Sequence, residues 1–180
     1  VWVLDAFTKS DAFPLSQLSQ FPGTRGVRYV RNSVKVTIDA ETGEVVFYVV
    51  DASDPLIDLY SRSFPGMFLS LDRMSDGLKS HLRYSRPMLN LQANVLNQYH
   101  QETASLFHGQ QDVWTAPQEL SQNSSTVRYR PEYGIYRLPE EEEEEFLLTT
   151  AFVPRGRQNL TALLVAHNDP GSYGKLILFE

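Results

Sequence analysis

The sequence predicts an α+β fold: a mostly antiparallel sheet of hairpins and a C-terminal meander, with a helical insert packed on it. Three observations carry this prediction. In residues 29–51, Val34, Val36 and Ile38 alternate with Lys35, Thr37 and Asp39, the period of a strand with one apolar face. From Asp54 the apolar spacing becomes helical, and after residue 130 short apolar runs separated by turn residues return. Strands, then helices, then strands is the α+β order. At 180 residues one domain is expected, a soluble domain 1–180 with strands in about 1–50, a helical insert in about 54–108 and strands in about 130–180.

Residues 1–8 read as a strand and residues 9–26 as a loop punctuated by Pro14, Pro22, Gly23 and Gly26. Residues 27–32 fit either a short helix or the start of the first hairpin strand. Residues 40–43 (Ala-Glu-Thr-Gly) form the hairpin turn, with Gly43 where a left-handed residue closes it. The second hairpin strand, residues 45–50, is apolar on both faces, which predicts an interior strand. This pattern puts Phe47 in the core and Lys35 on a solvent face.

Asp54-Pro55 supplies an N-cap followed by proline at the first helical position. Leu56, Tyr60 and Phe64 form the stripe expected to pack, and Pro65-Gly66 ends the helix. Ser75 starts a second helix carrying Leu78 and Leu82. Ser85 starts a third, with Met88, Leu91, Val95 and Tyr99 on one stripe. Residues 101–130 are polar and weakly patterned, and 121–125 is the expected exposed loop. Strands follow at 133–138, 146–153, 160–167 and 173–179. Asn168-Asp169-Pro170-Gly171 turns between the last two, and Gly174 marks a bulge.

Composition narrows the function classes. Net charge is −6, which disfavours a nucleic-acid partner, since phosphate binding needs a concentrated basic face. The chain has no cysteine, so disulfides, thiolate metal sites and cysteine nucleophiles are excluded. No apolar run approaches the roughly 20 residues that span a bilayer. The chain starts and ends in apparent strands, as a piece cut from a longer protein would.

Few residues point to chemistry. Six glutamates, 140–145, form a run that reads as an exposed loop entering the next strand, with Glu145 and then Glu144 as candidates to join it. Cation loops interleave their ligands with turn residues, and this run has none, so no metal site and no cofactor is expected. Arg25, Arg28 and Arg31 recur at three-residue spacing, and Arg155 and Arg157 flank Gly156. Both sets fit solvated surface or a weak anion or lipid-headgroup site. Of the histidines, His81 and His100 fall near helix C-terminal ends, where the helix dipole favours a cationic ring. An enzyme reading would be a hydrolase using His81 or His100 with a carboxylate. No zinc, nucleotide or nucleophile-elbow motif accompanies them. Asn123-Ser124-Ser125 and Asn159-Leu160-Thr161 match glycosylation acceptors.

Several stretches together resemble a known family. Residues 29–36 (YVRNSVKV), Ile38-Asp39-Ala40 and Phe47-Tyr48-Val49-Val50-Asp51 are similar to a hairpin of an uncharacterised protein family (UPF class) of large multi-pass bacterial membrane proteins. Asp54-Pro55, Phe64-Pro65-Gly66, His81-Leu82-Arg83-Tyr84 and Tyr99-His100 continue the likeness. So do Arg137-Leu138-Pro139, the glutamate run with Phe146, Pro154-Arg155-Gly156-Arg157 and Tyr173-Gly174-Lys175-Leu176. The resemblance implies a cell-membrane protein with transmembrane helices in its N-terminal half. This chain would be part of the C-terminal extracytoplasmic region, a binding or structural domain. Its partners would be the membrane portion of the same protein or another envelope component. The resemblance carries no catalytic residues with it, and residues 118–127 have no counterpart in it.

Overall fold

The computed structural model describes residues 1–121, 125–139 and 141–180. They form two compact units, Val1–Ser85 and Arg86–Glu180. Both mix helices with mostly antiparallel sheet, the α+β class.

The first unit is a four-stranded sheet of β1 (Trp2–Ser10), β2 (Tyr29–Ile38), β3 (Val45–Val49) and β4 (Phe68–Ser70), in that spatial order. Residues 27–32 take the strand alternative: Val27 bridges Ser19, and β2 begins at Tyr29. The β2–β3 hairpin forms with Ile38 opposite Val45. Gly43 sits at φ 75 and its N–H donates to the Asp39 carbonyl. β3 is an interior strand, as its apolar run predicts, but its first residue, Val45, is nearly half exposed. A register shift between Ala6 and Thr8 puts a bulge in the β1–β2 pairing.

Helix α1 (Pro55–Ser63) starts as its sequence dictates, with the Asp54 side chain accepting the Leu56 N–H. It links β3 to β4, which pair in parallel, a βαβ crossover. The expected packing stripe needs correction. Ile57 is the buried residue, packed on Val34 and Val36, while Tyr60 and Phe64 are half exposed and stack on each other. Asp54 is bonded into the sheet, which fixes the helix's rotation with Ile57 inward.

The second face of this sheet corrects another expectation. Lys35 is not on a solvent face: it is 1% exposed, and Thr37 is buried beside it. The segment carrying Arg83 lies over that face, and Lys35 Nζ donates to the Arg83 carbonyl at 2.7 Å. Alternation distinguishes two faces but does not say whether the second is covered. Ser75 caps α2 (Asp76–Lys79), as expected.

The helical insert of 54–108 is not continuous. β4 interrupts it, and its last helices belong to the second unit: α3 (Arg86–Tyr99) and α4 (Ala104–Gly109). On α3 the buried residues are Leu89, Leu91 and Ala93, whereas Val95 and Tyr99 of the expected stripe are exposed. Residues 101–130 hold more structure than their pattern suggests. Besides α4 they contain β5 (Trp114–Thr115) and a hairpin of β6 (Gln118–Leu120) and β7 (Thr126–Arg128). Of the loop expected at 121–125, residues 122–124 lie outside the described residues, and with them Asn123 and Ser124 of the first glycosylation match.

The C-terminal meander forms as predicted from β8 (Glu132–Tyr136), β9 (Glu145–Pro154), β10 (Ala162–His167) and β11 (Leu176–Phe179). The sheet runs β11-β10-β9-β5, with β8 also on β9, so β9 is its hub. Glu145 joins β9 and Glu144 does not. Glu141–Glu144 are exposed, and Glu140 lies outside the described residues. Gly174 is not a strand bulge: it sits at φ 82 in the turn before β11, its N–H donating to the His167 carbonyl. Among the described residues, no helix is long and apolar enough to cross a membrane.

Candidate functional site

The most densely bonded polar group of the first unit is the Asp54 carboxylate. It accepts from the hydroxyls of Tyr29 (2.6 Å), Thr8 and Ser33, and from the Leu56 N–H (3.0 Å). Burial pushes this carboxyl up. The bonds from Ser33, Thr8, Tyr29 and Leu56 outweigh that and hold it below the usual aspartate range. The Tyr29 phenol moves the other way, pushed up to about 12 by burial and then by the hydrogen bond to Asp54. A carboxylate with four donors has its acceptor capacity occupied by the fold, so its role is to join β1, β2 and α1.

Lys35 is the second such group. Its ammonium bridges the Asp5 carboxylate and the Arg83 carbonyl. Burial pulls its pKa down, and Asp5 opposes the shift.

The candidate anion residues are not assembled into one site. Without a helix at 27–32, Arg25, Arg28 and Arg31 share no helical face. Arg31 donates to Asp51 and Ser53, each at 2.9 Å, and Arg28 donates to the Ser16 carbonyl. Arg25 lines a cleft of about 340 Å³ with Lys9, Asp11 and Thr24. In the second unit, Arg155 and Arg157 are exposed on a turn whose Gly156 sits at φ 80.

The histidines named as hydrolase candidates hold helix ends. His81 Nδ1 lies 2.7 Å from the Gly77 carbonyl, and His100 Nδ1 lies 2.7 Å from the Leu96 carbonyl. His100 stacks on Trp114, and its Nε2 is 3.8 Å from Asp112, beyond the roughly 2.6–3.2 Å of general-base contact. The geometry therefore does not support the hydrolase reading. The close histidine–carboxylate pair is one the sequence does not reveal. His167 Nδ1 lies 2.6 Å from Glu145 Oε2, with the imidazole almost fully buried. Alternation does place Leu147 opposite His167 across β9–β10, with Glu145 two residues away on the same face.

That face continues into a concavity. It is a cavity of about 580 Å³ in the second unit, over Leu147, Leu163, Val165 and Phe179. Leu138, Leu147 and Val165 form one buried cluster with Leu163 and Phe179 packed on it. Tyr129, Tyr136, Arg137 and Thr149 add polar groups to the lining. Gly134 lets the Tyr136 ring lie over β8, since a Cβ there would collide with that ring. A concave, mainly apolar site with a few polar groups is suited to holding a small molecule.

Fold and cavity together place the chain among α+β proteins with antiparallel sheets and a ligand-sized hollow. The chain belongs to UPF0182, an uncharacterised protein family, which it matches over residues 1–180. It is 40% identical to a UPF0182 protein of Methanospirillum hungatei, over 99% of this chain and 20% of the relative. It is 43% identical to UPF0182 protein H16_A1615 of Cupriavidus necator, again over 99% of this chain and 20% of the relative. A relative in Synechococcus elongatus is also 43% identical, over 99% of this chain and 18% of its own length. The chain thus spans about a fifth of the curated relatives it matches. The family reaches archaea as well as bacteria, wider than the bacterial family the sequence resembles. No solved structure matches the chain.

Proposed function

We propose that this chain is an extracytoplasmic binding or structural module of a multi-pass membrane protein, in contact with that protein's membrane portion or another envelope component. The observation that carries the binding part is the apolar cavity of the second unit, built on the hub strand of its sheet. Two further facts support a module. The relatives are about five times longer than this chain. In the first unit, the deepest charged groups, Asp54 and Lys35, are bonded within the fold. What supports the location is the likeness of the hairpin and the C-terminal turns to the family of multi-pass membrane proteins that the sequence resembles.

Membrane fractionation of the full-length protein, with protease added to intact spheroplasts, tests this. Recovery in the membrane fraction with cleavage from outside is expected. Recovery in the cytosolic fraction would overturn the location. Of the five arginines, Arg25 keeps an anion-binding reading, because Lys9 shares its cleft. Phosphate binding that Arg25→Gln leaves unchanged would remove it.

A further inference from the structure

The second unit's cavity has a floor and a head end of different chemistry. The β9–β10 register builds the floor: Val165 faces Thr149 across the strands, His167 faces Leu147, and Leu163 lies two residues before Val165 on the same face. Leu147 and Val165 are fully buried beneath it, and Leu160, Leu163 and Phe179 present the apolar surface. At about 580 Å³ the cavity lies within the roughly 300–1,000 Å³ of small-molecule sites. Water over such a floor finds few hydrogen-bond partners, so an apolar group displaces it favourably.

The polar lining holds one cation, Arg137, among the hydroxyls of Tyr129, Tyr136, Thr149 and Thr161. Burial pushes the Tyr129 phenol up and nearby Glu132 adds to it, so the phenol keeps its proton at neutral pH; the Thr149 hydroxyl is its hydrogen-bonding neighbour. Arg137 is exposed on the rim, and among the described residues it has no ion-pair partner. Its guanidinium only donates. Glu180, also on the rim, carries the opposing charge.

We propose that this cavity binds an amphipathic small molecule. Its apolar chain lies over Leu160, Leu163 and Phe179, and its carboxylate head is held by Arg137 with the Tyr129 phenol, whose oxygen accepts from the Thr149 hydroxyl. An acceptor-rich head satisfies both donors, whereas an ammonium head would meet Arg137 as a like charge. Glu180 opposes such a head, so its neutralisation tightens binding. The inference goes beyond the proposed location and does not depend on it.

Isothermal titration of the 180-residue chain with dodecanoate, dodecanol and dodecylamine, each below its micelle concentration, tests the site. Dodecanoate is expected to saturate one site at micromolar concentration and to bind more tightly than the other two. Arg137→Gln should weaken it about tenfold, as for loss of a charge-assisted contact. Glu180→Gln should strengthen it, Leu163→Trp should abolish it by filling the floor, and Arg62→Gln, on the first unit, should leave it unchanged. Dodecylamine binding as tightly as dodecanoate would overturn the head assignment. Absence of saturable heat with all three, or dodecanoate binding insensitive to Arg137→Gln, would overturn the site. If Leu163→Trp loses its cooperative melt, the Arg137 and Glu180 variants decide, since both residues are exposed.

Discussion

The two units set contrasting strands at the hearts of their sheets. β2 and β9 are each ten residues long, and both pair on two sides. β2 buries Ser33, Lys35 and Thr37 beside Val34 and Val36, while β9 buries Leu147, Leu148, Phe152 and Val153 with only Thr149 and Thr150 as polar residues among them. The first strand is located by specific polar partners: Asp54 for Ser33, Asp5 and the Arg83 carbonyl for Lys35. The second is held mostly by apolar area, which is non-directional. Polar partners single out one arrangement. Apolar area supplies stability and leaves room for a hollow.

The sharpest test of this contrast lies in β9. Phe152→Ala should destabilise the second unit by about 4 kcal/mol, as large aromatic truncations in cores do. Lys35→Ala should cost about 3 kcal/mol, because Asp5 and the Arg83 carbonyl lose their donor. The discriminating variant is the double change Lys35→Met with Asp5→Asn, which should recover most of that loss, whereas no polar rescue exists for Phe152. Urea unfolding of each variant reads these values, and a Lys35→Ala effect under about 0.5 kcal/mol would erase the contrast.

Acid should separate the units next. The Asp54 carboxyl is held below its ordinary value in the folded state. Its contribution is therefore fully present above the unfolded pKa, about 3.9, and is lost as pH falls through the lower folded value. Asp54→Asn should lower the urea midpoint at pH 7 and lose less on acidification to pH 2 than the parent chain does. Parallel acid slopes for the two proteins would refute this. The smallest effect belongs to the glutamate run: Glu143→Gln, at an exposed position, should change stability by less than about 0.5 kcal/mol in thermal melts.

What the sequence made legible was local. The Asp39–Gly43 turn, the Asp54-Pro55 helix start, the Ser75 cap and the turn before β11 each rest on contacts a few residues apart. What stayed hidden depends on distant chain. Lys35 reads as solvent-facing until the segment bearing Arg83 is placed over it. The Leu56–Tyr60–Phe64 stripe gives way to Ile57 because Asp54 also bonds Thr8 and Ser33. The cavity was only partly legible: alternation orders Leu147 and Thr149 on one face of β9, but the Tyr129 and Arg137 lining comes from separate segments. The helix-end positions of His81 and His100 are legible in the sequence, whereas no motif joins His167 to Glu145.

The parallel β3–β4 pair bears on the order in which the first unit assembles. The β2–β3 hairpin closes the shortest loop, through Gly43, and loop closure before contact formation sets much of a folding barrier. The connections that bring in β4 and β1, residues 50–67 and 11–28, are equally long, so both strands follow the hairpin: the α1 crossover sets Phe68 beside Phe47, and β1 matches Trp2 to Ile38. Truncation at Val46 should therefore slow refolding, whereas truncation at Ala6 should act mainly by speeding unfolding. On this account β1 gains its native partners after the hairpin has closed, and until it docks the Asp54 carboxylate lacks the Thr8 hydroxyl that completes its set.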